Sequence, residues 1–188
     1  MQFIETILIT DKIENIDLHN KRFNKTRYDF FNADESDLRN YIDIIPNKRV
    51  RVVYDKKIRK IEYFDIKKRK FKKFKIVSSN IDYSYKFADR NALNALKDDK
   101  YDEVIIIKNN LVTDTTISNL AFFDGKKWLT PKTPLLKGTK REELIQKDFL
   151  IEKDIHLNEL KNFQKLAMLN AIIGFYEIDE FDIIKNKL

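Results

Sequence analysis

The side chains able to do chemistry in this chain are few in kind. Cysteine is absent and histidine occurs only as His19 and His156. That removes a thiol nucleophile, disulfides, zinc knuckles and iron–sulfur ligation, and no metal is expected. With only three glycines, a Gly-rich phosphate loop of the Walker or Rossmann kind is excluded as well. Lysines and carboxylates remain, and singly they prove nothing. Their spacing does more. In chain order stand Ile4-Glu-Thr6, His19-Asn-Lys-Arg22-Phe, Lys86-Phe-Ala-Asp-Arg90, Val112-Thr-Asp114 with Asn119 five residues on, Gly138-Thr139-Lys140-Arg141 and Asn170-Ala-Ile-Ile-Gly174.

Charge offers a second kind of chemistry. The formal net charge is +7, and eleven of the twenty residues from Lys56 to Lys75 are Lys or Arg, interleaved with Tyr63, Phe64, Phe71 and Phe74. Such a stretch can track phosphates and stack bases. It also fits a strand with one wet side, as the alternation in Lys73-Phe74-Lys75-Ile76 shows. Lysine is abundant throughout the chain, so the second reading leads and a nucleic-acid partner is not expected. The 188 residues, 43% hydrophobic, suffice for one ordinary domain or two small ones with a real core. Neither a secretory signal nor an apolar run of membrane-spanning length is visible, and a cytoplasmic location is expected.

The elements that must position these residues form an α+β pattern. Strand signals occur at Phe3–Ile9, Val50–Tyr54, Arg59–Ile66, Lys73–Val77 and Val104–Ile107. Helices are predicted from Leu18 to about Phe31 with Asp17 as N-cap, from Ser36 to Ile45 before Pro46, near Ala88–Leu96, and over Arg141–Phe149. Leu120–Phe123 and Lys127–Leu129 flank Asp124-Gly125 as a hairpin. Strands follow at Phe149–Ile155, Lys165–Asn170 and Ile172–Ile178, with a short helix near Leu157–Lys161. The polar Ser78-Ser79-Asn80 is the best boundary, giving a small N-terminal α+β subdomain over 1–78 and a larger one over 79–188.

In this order, from about Glu5 to Phe175, the motifs resemble the class IV aminotransferase family, the fold-type-IV pyridoxal-phosphate enzymes. That family includes branched-chain and D-amino-acid aminotransferases and 4-amino-4-deoxychorismate lyase. The resemblance implies two small α/β subdomains of the D-amino-acid-aminotransferase kind, with the cofactor, pyridoxal 5'-phosphate, at their interface. It also implies that Lys86 carries the cofactor. A lysine in that role must be the one amine aimed at the cofactor, with a pKa low enough to move protons. The partner of the pyridine nitrogen, usually Glu in this pattern, becomes Asp114, followed by Asn119; an ionised carboxylate there keeps the ring nitrogen protonated. The phosphate falls to Arg22, to Thr139 and Lys140 at a helix start, and to Asn170. Apart from the motifs, Lys86 is one lysine among many, Asp114 and Asn170 read as turn residues, and Arg22 as a surface arginine.

Three departures bear on activity. The front region is shorter than in full-length aminotransferases, Lys140 replaces the usual threonine, and Leu8 stands where several relatives place a substrate-binding arginine. The last argues against ordinary α-amino-acid transamination. The short Asn170-Ala-Ile-Ile-Gly174 points to the lyase branch, which makes 4-aminobenzoate and pyruvate for folate synthesis. A dicarboxylate substrate would suit Arg51 and Arg90. The alternatives are a small aminotransferase of the same class, of the branched-chain or D-amino-acid type, and a catalytically lapsed relative that binds nucleic acid through its basic stretch. A homodimer is expected, because a chain this short gains burial from a partner.

Overall fold

The computed structural model describes residues 1–184. The chain folds into two compact units, Met1–Lys68 with Tyr85–Asp89, and Arg69–Ser84 with the chain from Arg90 onward. The polar stretch at 78–80 lies inside the second unit, because the strand before it pairs with later strands.

The first unit is an antiparallel sheet of β1 (Phe3–Ile9), β2 (Lys48–Tyr54) and β3 (Ile58–Asp65) in that order, with helix α1 (Ile16–Phe31) inserted between β1 and β2. Period-two alternation sends Phe3, Ile7 and Ile9 of β1 and Val50, Val52 and Tyr54 of β2 into one core. Helix α1 adds Phe23 to it, one residue of the apolar stripe of an amphipathic helix. The helix starts earlier than expected. Asn15, in the left-handed region at φ 50°, is its N-cap, and Asp17 sits exposed in the first turn, paired with Arg39. The helix expected over Ser36–Ile45 is reduced to a single 3-10 turn, Leu38–Asn40. Side chains hold this segment: Asn24 Oδ1 accepts from Ser36 N, Asn20 Oδ1 from Leu38 N, and Asp37 from Arg39 N.

The second unit begins with β4 (Lys73–Ser78) and a one-turn helix α2 (Asn91–Asn94). The helix expected near Ala88–Leu96 starts later, because the chain runs beside β1 as far as Ala88, whose amide donates to Gln2 O. Next come β5 (Glu103–Lys108) and β6 (Leu111–Val112). They are joined by Asn109-Asn110, both left-handed (φ 52° and 63°), as a two-residue hairpin turn demands. In a chain so poor in glycine, asparagine takes these positions. The unit is completed by β7 (Asn119–Phe123), β8 (Trp128–Pro131), helix α3 (Thr139–Gln146), β9 (Leu150–Lys153), β10 (Lys165–Asn170), β11 (Gly174–Ile178) and β12 (Asp182–Ile184).

Two sheets result, β12-β4-β5-β6 and β11-β10-β7-β8-β9. Phe74, Ile105 and Ile107 from the first meet Leu120, Phe122, Leu129, Leu166 and Met168 from the second in one core. The alternate residues Ala121, Ala167 and Leu169 pack on the opposite side with Leu144 of α3, so β7 and β10 are buried on both faces. Truncating Phe122, which is fully buried, to alanine would cost about 3–5 kcal/mol. The turn between β7 and β8 falls on Asp124-Gly125 as expected. No helix among the described residues is long and apolar enough to cross a membrane.

Candidate active site

Each unit carries its own group of the singled-out residues. In the first, Glu5 is the anomaly of β1: a carboxylate on the face that otherwise holds Phe3, Ile7 and Ile9, fully buried. Two residues of α1, three apart and thus on one helix face, satisfy it. Arg22 donates Nε to Oε1 at 2.8 Å and Nη2 to Oε2 at 2.6 Å, a bidentate fork. His19 Nδ1 lies 2.6 Å from Oε2. Burial pushes the Glu5 carboxyl up, but the charge and hydrogen bonds of Arg22, with the His19 bond, outweigh it and hold the pKa at about 2. Burial pushes His19 below its ordinary value against the pull of Glu5, so the ring is neutral at pH 7. An ionised Glu5 can only accept, which places the His19 proton on Nδ1.

Lys86 belongs to the same unit. Its carbonyl accepts from Ile4 N at 2.9 Å, and Phe87 bridges Phe3 in antiparallel sense, so residues 86–88 lie along the edge of β1 away from β2. The charge of Lys86 is felt at His19. Arg51, on β2, donates to Glu62 at 3.1 Å across to β3.

In the second unit the structure gathers Asp114, Asn119, Gly138 and Thr139. The loop from Thr113 to Ser118 is polar yet buried, and internal bonds satisfy it. Thr116 Oγ1 donates to the Glu103 carboxylate at 2.8 and 2.9 Å, and Thr115 Oγ1 accepts from Ser118 N at 2.9 Å. Asp114 Oδ1 accepts from Asn119 Nδ2 at 2.8 Å and Oδ2 from Leu136 N at 2.9 Å. Asn119 Nδ2 also donates to Leu136 O. Gly138 is required by this packing, since a Cβ there would lie 2.1 Å from Asn119 Oδ1. Gly138 is also the N-cap of α3, so the same contact fixes where that helix begins, two residues before the expected start.

Burial drives the Asp114 carboxyl up to about 7, against the bonds from Leu136 and Asn119 and the charge of Arg141. Arg141, fully buried, donates to Pro131 O and Glu152, while its Nε is buried without a partner among the described residues. Lys140 Nζ is held by Glu143 at 2.9 Å, which leaves its backbone amide to any anion at the helix start. Asn170 shapes the turn between β10 and β11. Its Oδ1 accepts from Ile172 N and Ile173 N, which is why the last long strand begins only at Gly174, and its Nδ2 reaches Ile117 O. Arg90 donates to Thr116 O at 2.6 Å and to the Tyr83 hydroxyl, so it braces the Asp114 loop.

The sequence reading gave no role to Glu5 or Arg141 and no reason for Gly138, although all three stand in its motifs. An acid among the apolar residues of one strand face was the visible signal for Glu5; the contacts of the other two had none. In the basic run, Phe71 and Phe74 are buried in the core, and Arg59, Lys60, Lys72 and Lys75 are paired with Asp55, Glu62, Glu180 and Asp98. The one-wet-side reading of that stretch therefore holds at β4.

Residues 84–181 match the family model described as amino-transferase class IV. A crystal structure from Haemophilus somnus, provisionally named a 4-amino-4-deoxychorismate lyase, superposes with a TM-score of 0.86 at 31% identity, over 92% of this chain and 97% of that one. An uncharacterised Haemophilus influenzae protein is 35% identical over 182 residues, covering 90% of this chain and 97% of its own. A hypothetical aminotransferase from Mycobacterium tuberculosis, in its PLP-bound form, shares the fold at 14% identity, with a TM-score of 0.80 over 96% of this chain and 81% of that one. The fold is that of the fold-type-IV, pyridoxal-phosphate-dependent enzymes. The chain belongs to the amino-transferase class IV family and is an enzyme of that class.

Proposed function

We propose that the protein is a pyridoxal-phosphate-dependent lyase that converts 4-amino-4-deoxychorismate to 4-aminobenzoate and pyruvate. What carries the reading is the buried Asp114 of the second unit, in a chain 31% identical to the Haemophilus somnus protein provisionally named for that activity. Asp114 has neutral donors on both oxygens and a carboxyl raised to about 7, so it gains most from a cationic N–H donor. A protonated pyridine nitrogen is such a donor, and in this sense the residues fit the cofactor. Lys86 would hold it by its amine. Arg22, the amides of Thr139 and Lys140, and Asn170 would hold the phosphate.

The bound cofactor supplies an electron sink for the carbon that carries the substrate amine. The chain's own residues do the rest. Lys86 Nζ takes the proton from that carbon and returns one in product release. The enolpyruvyl C–O bond breaks, the ring becomes aromatic, and enolpyruvate takes up a proton at its methylene carbon to give pyruvate. The Glu5 carboxylate, clamped by His19, keeps the Arg22 fork in one orientation. With this reading go folate synthesis, a cytoplasmic place and a homodimer.

The test is a visible spectrum of the protein with added pyridoxal phosphate, beside Lys86→Ala, followed by an assay of 4-aminobenzoate release. A band in the wild type that the variant lacks, with release of 4-aminobenzoate, is the expected result. The band without release, with an amino donor converting the cofactor to its amine form, would replace the lyase by a small aminotransferase. Absence of the band in both proteins would overturn the reading.

A further inference from the structure

The loop that joins β8 to α3 holds the Asp114 carboxyl by its middle. Leu136 N donates to Asp114 Oδ2 at 2.9 Å, and Leu136 O accepts from Asn119 Nδ2 at 2.7 Å. The same Asn119 nitrogen donates to Asp114 Oδ1 at 2.8 Å. One side chain ties the two ends of that loop together. Arg141, three residues past the Gly138 N-cap of α3, turns back and donates Nη2 to Pro131 O, the last residue of β8, at 2.8 Å. The same nitrogen donates to Glu152 of β9 at 2.6 Å. Pro131 and Glu152 stand on paired strands, so one guanidinium pins the start of α3 to both.

A neutral donor could close this loop, and burying a guanidinium is costly. The cation is also poorly compensated. Arg141 has a side chain only 2% exposed, whereas its partner Glu152 is 42% exposed and therefore screened by water. Its Nε is buried without a hydrogen-bond partner among the described residues. The uncompensated charge bears on Asp114, where it opposes the burial that drives the carboxyl up. The other charged groups on neighbouring elements are spent or in water. Glu103 of β5 is bonded to Thr116, Lys140 and Lys147 of α3 pair with Glu143, and Lys132 and Lys137 of the loop are exposed.

We propose that Arg141 is a positioning residue for the cofactor's ring nitrogen, acting through Asp114. Its clasp on Pro131 keeps the Leu136 amide on one carboxyl oxygen, and its charge favours the carboxylate that a protonated pyridine nitrogen needs as a partner. This deepens the reading above and rests on its assignment of Asp114; it holds for a lyase and for an aminotransferase alike.

The experiment follows the Asp114 carboxyl by 13C NMR in the cofactor-free full chain from pH 5 to pH 9, with the signal assigned by its loss in Asp114→Asn. Pyridoxal-phosphate affinity is measured over the same range from the visible band. Arg141→Gln keeps a donor for Pro131 O but loses the charge, and should move the titration up by about one pH unit. Loosened packing would admit water and move it down, so damage to the fold cannot produce this rise. Arg141→Lys should return the titration close to the wild-type value, and Lys147→Gln, which removes a surface charge from the same helix, should leave it unchanged. Affinity in Arg141→Gln should fall about tenfold at pH 6, with the deficit nearly gone by pH 9, where Asp114 is ionised in both proteins. In the Asp114→Asn background the same substitution should cost less than about twofold, since the residue it acts through is gone. The double variant Arg141→Gln/Glu152→Gln leaves no carboxylate stranded; it should show the same upward titration even where the single variant fails to fold. A titration unmoved or lowered on loss of the arginine, or an equal loss of affinity in the Asp114→Asn background, would overturn the inference and leave the cofactor reading intact. A wild type that gives no visible band with pyridoxal phosphate would overturn that reading, and this inference with it.

Discussion

Glu5 in the first unit and Asp114 in the second are both fully desolvated carboxyl groups, yet one titrates at about 2 and the other at about 7. Both accept hydrogen bonds on both oxygens. The difference is the charge of the donor. Glu5 faces the Arg22 guanidinium directly, whereas Asp114 has an amide side chain and backbone N–H groups, with Arg141 acting only through space. Neutral donors do not repay the loss of hydration of a carboxylate; a contacting cation does. The Glu5 cluster is therefore electrostatically complete, and the Asp114 site is poised for a cation.

The strongest way to break this contrast is Arg22→Met. It strands Glu5 as a buried, unpaired charge, so stability should fall by about 3–5 kcal/mol in urea unfolding at pH 7. Most of that loss should be regained in Arg22→Met/Glu5→Gln. Equal stability of the single and double variants would show that Arg22 is not the compensating charge.

Asp114→Asn sharpens the comparison through pH. A carboxyl whose pKa is raised on folding, from 3.8 to about 7, holds its proton in the folded state where the unfolded chain has lost it. Its contribution is thus present at low pH and is lost as pH rises through that window. Glu5 works the other way, contributing above 4.5 and losing its contribution as pH falls toward 2. Relative to wild type, Asp114→Asn should gain stability from pH 5 upward, by about 2–3 kcal/mol in all, and level off above about pH 7. A pH-independent difference in melting temperature would contradict the raised pKa.

The smallest effect concerns packing. Gly138→Ala drives a methyl into Asn119 Oδ1 and should cost about 1–3 kcal/mol. Asn119→Ser in the same chain opens the space and should restore part of it, in a double-mutant cycle of thermal unfolding. Additive losses would mean that the two residues do not compete for one volume.

The sequence by itself determined a good deal. Short β-rich runs placed β1, β2 and β10, and the Asp-Gly turn placed the β7–β8 hairpin, because those signals are local. The ordered motifs carried the family and the candidate residues, since each is a short segment whose neighbours in the chain are its neighbours in space. What only the tertiary structure decided were the pairings. Side chains of α1 hold the segment where a helix was expected over Ser36–Ile45, and Asn170 spent its amide oxygen on a turn. The clamp of His19 and Arg22 on Glu5 and the opposition of Leu8 to Arg49 depend on which strand meets which. The same holds for the pKa values. A charge's neighbours and its distance from water are properties of the packed fold, and no spacing along the chain encodes them.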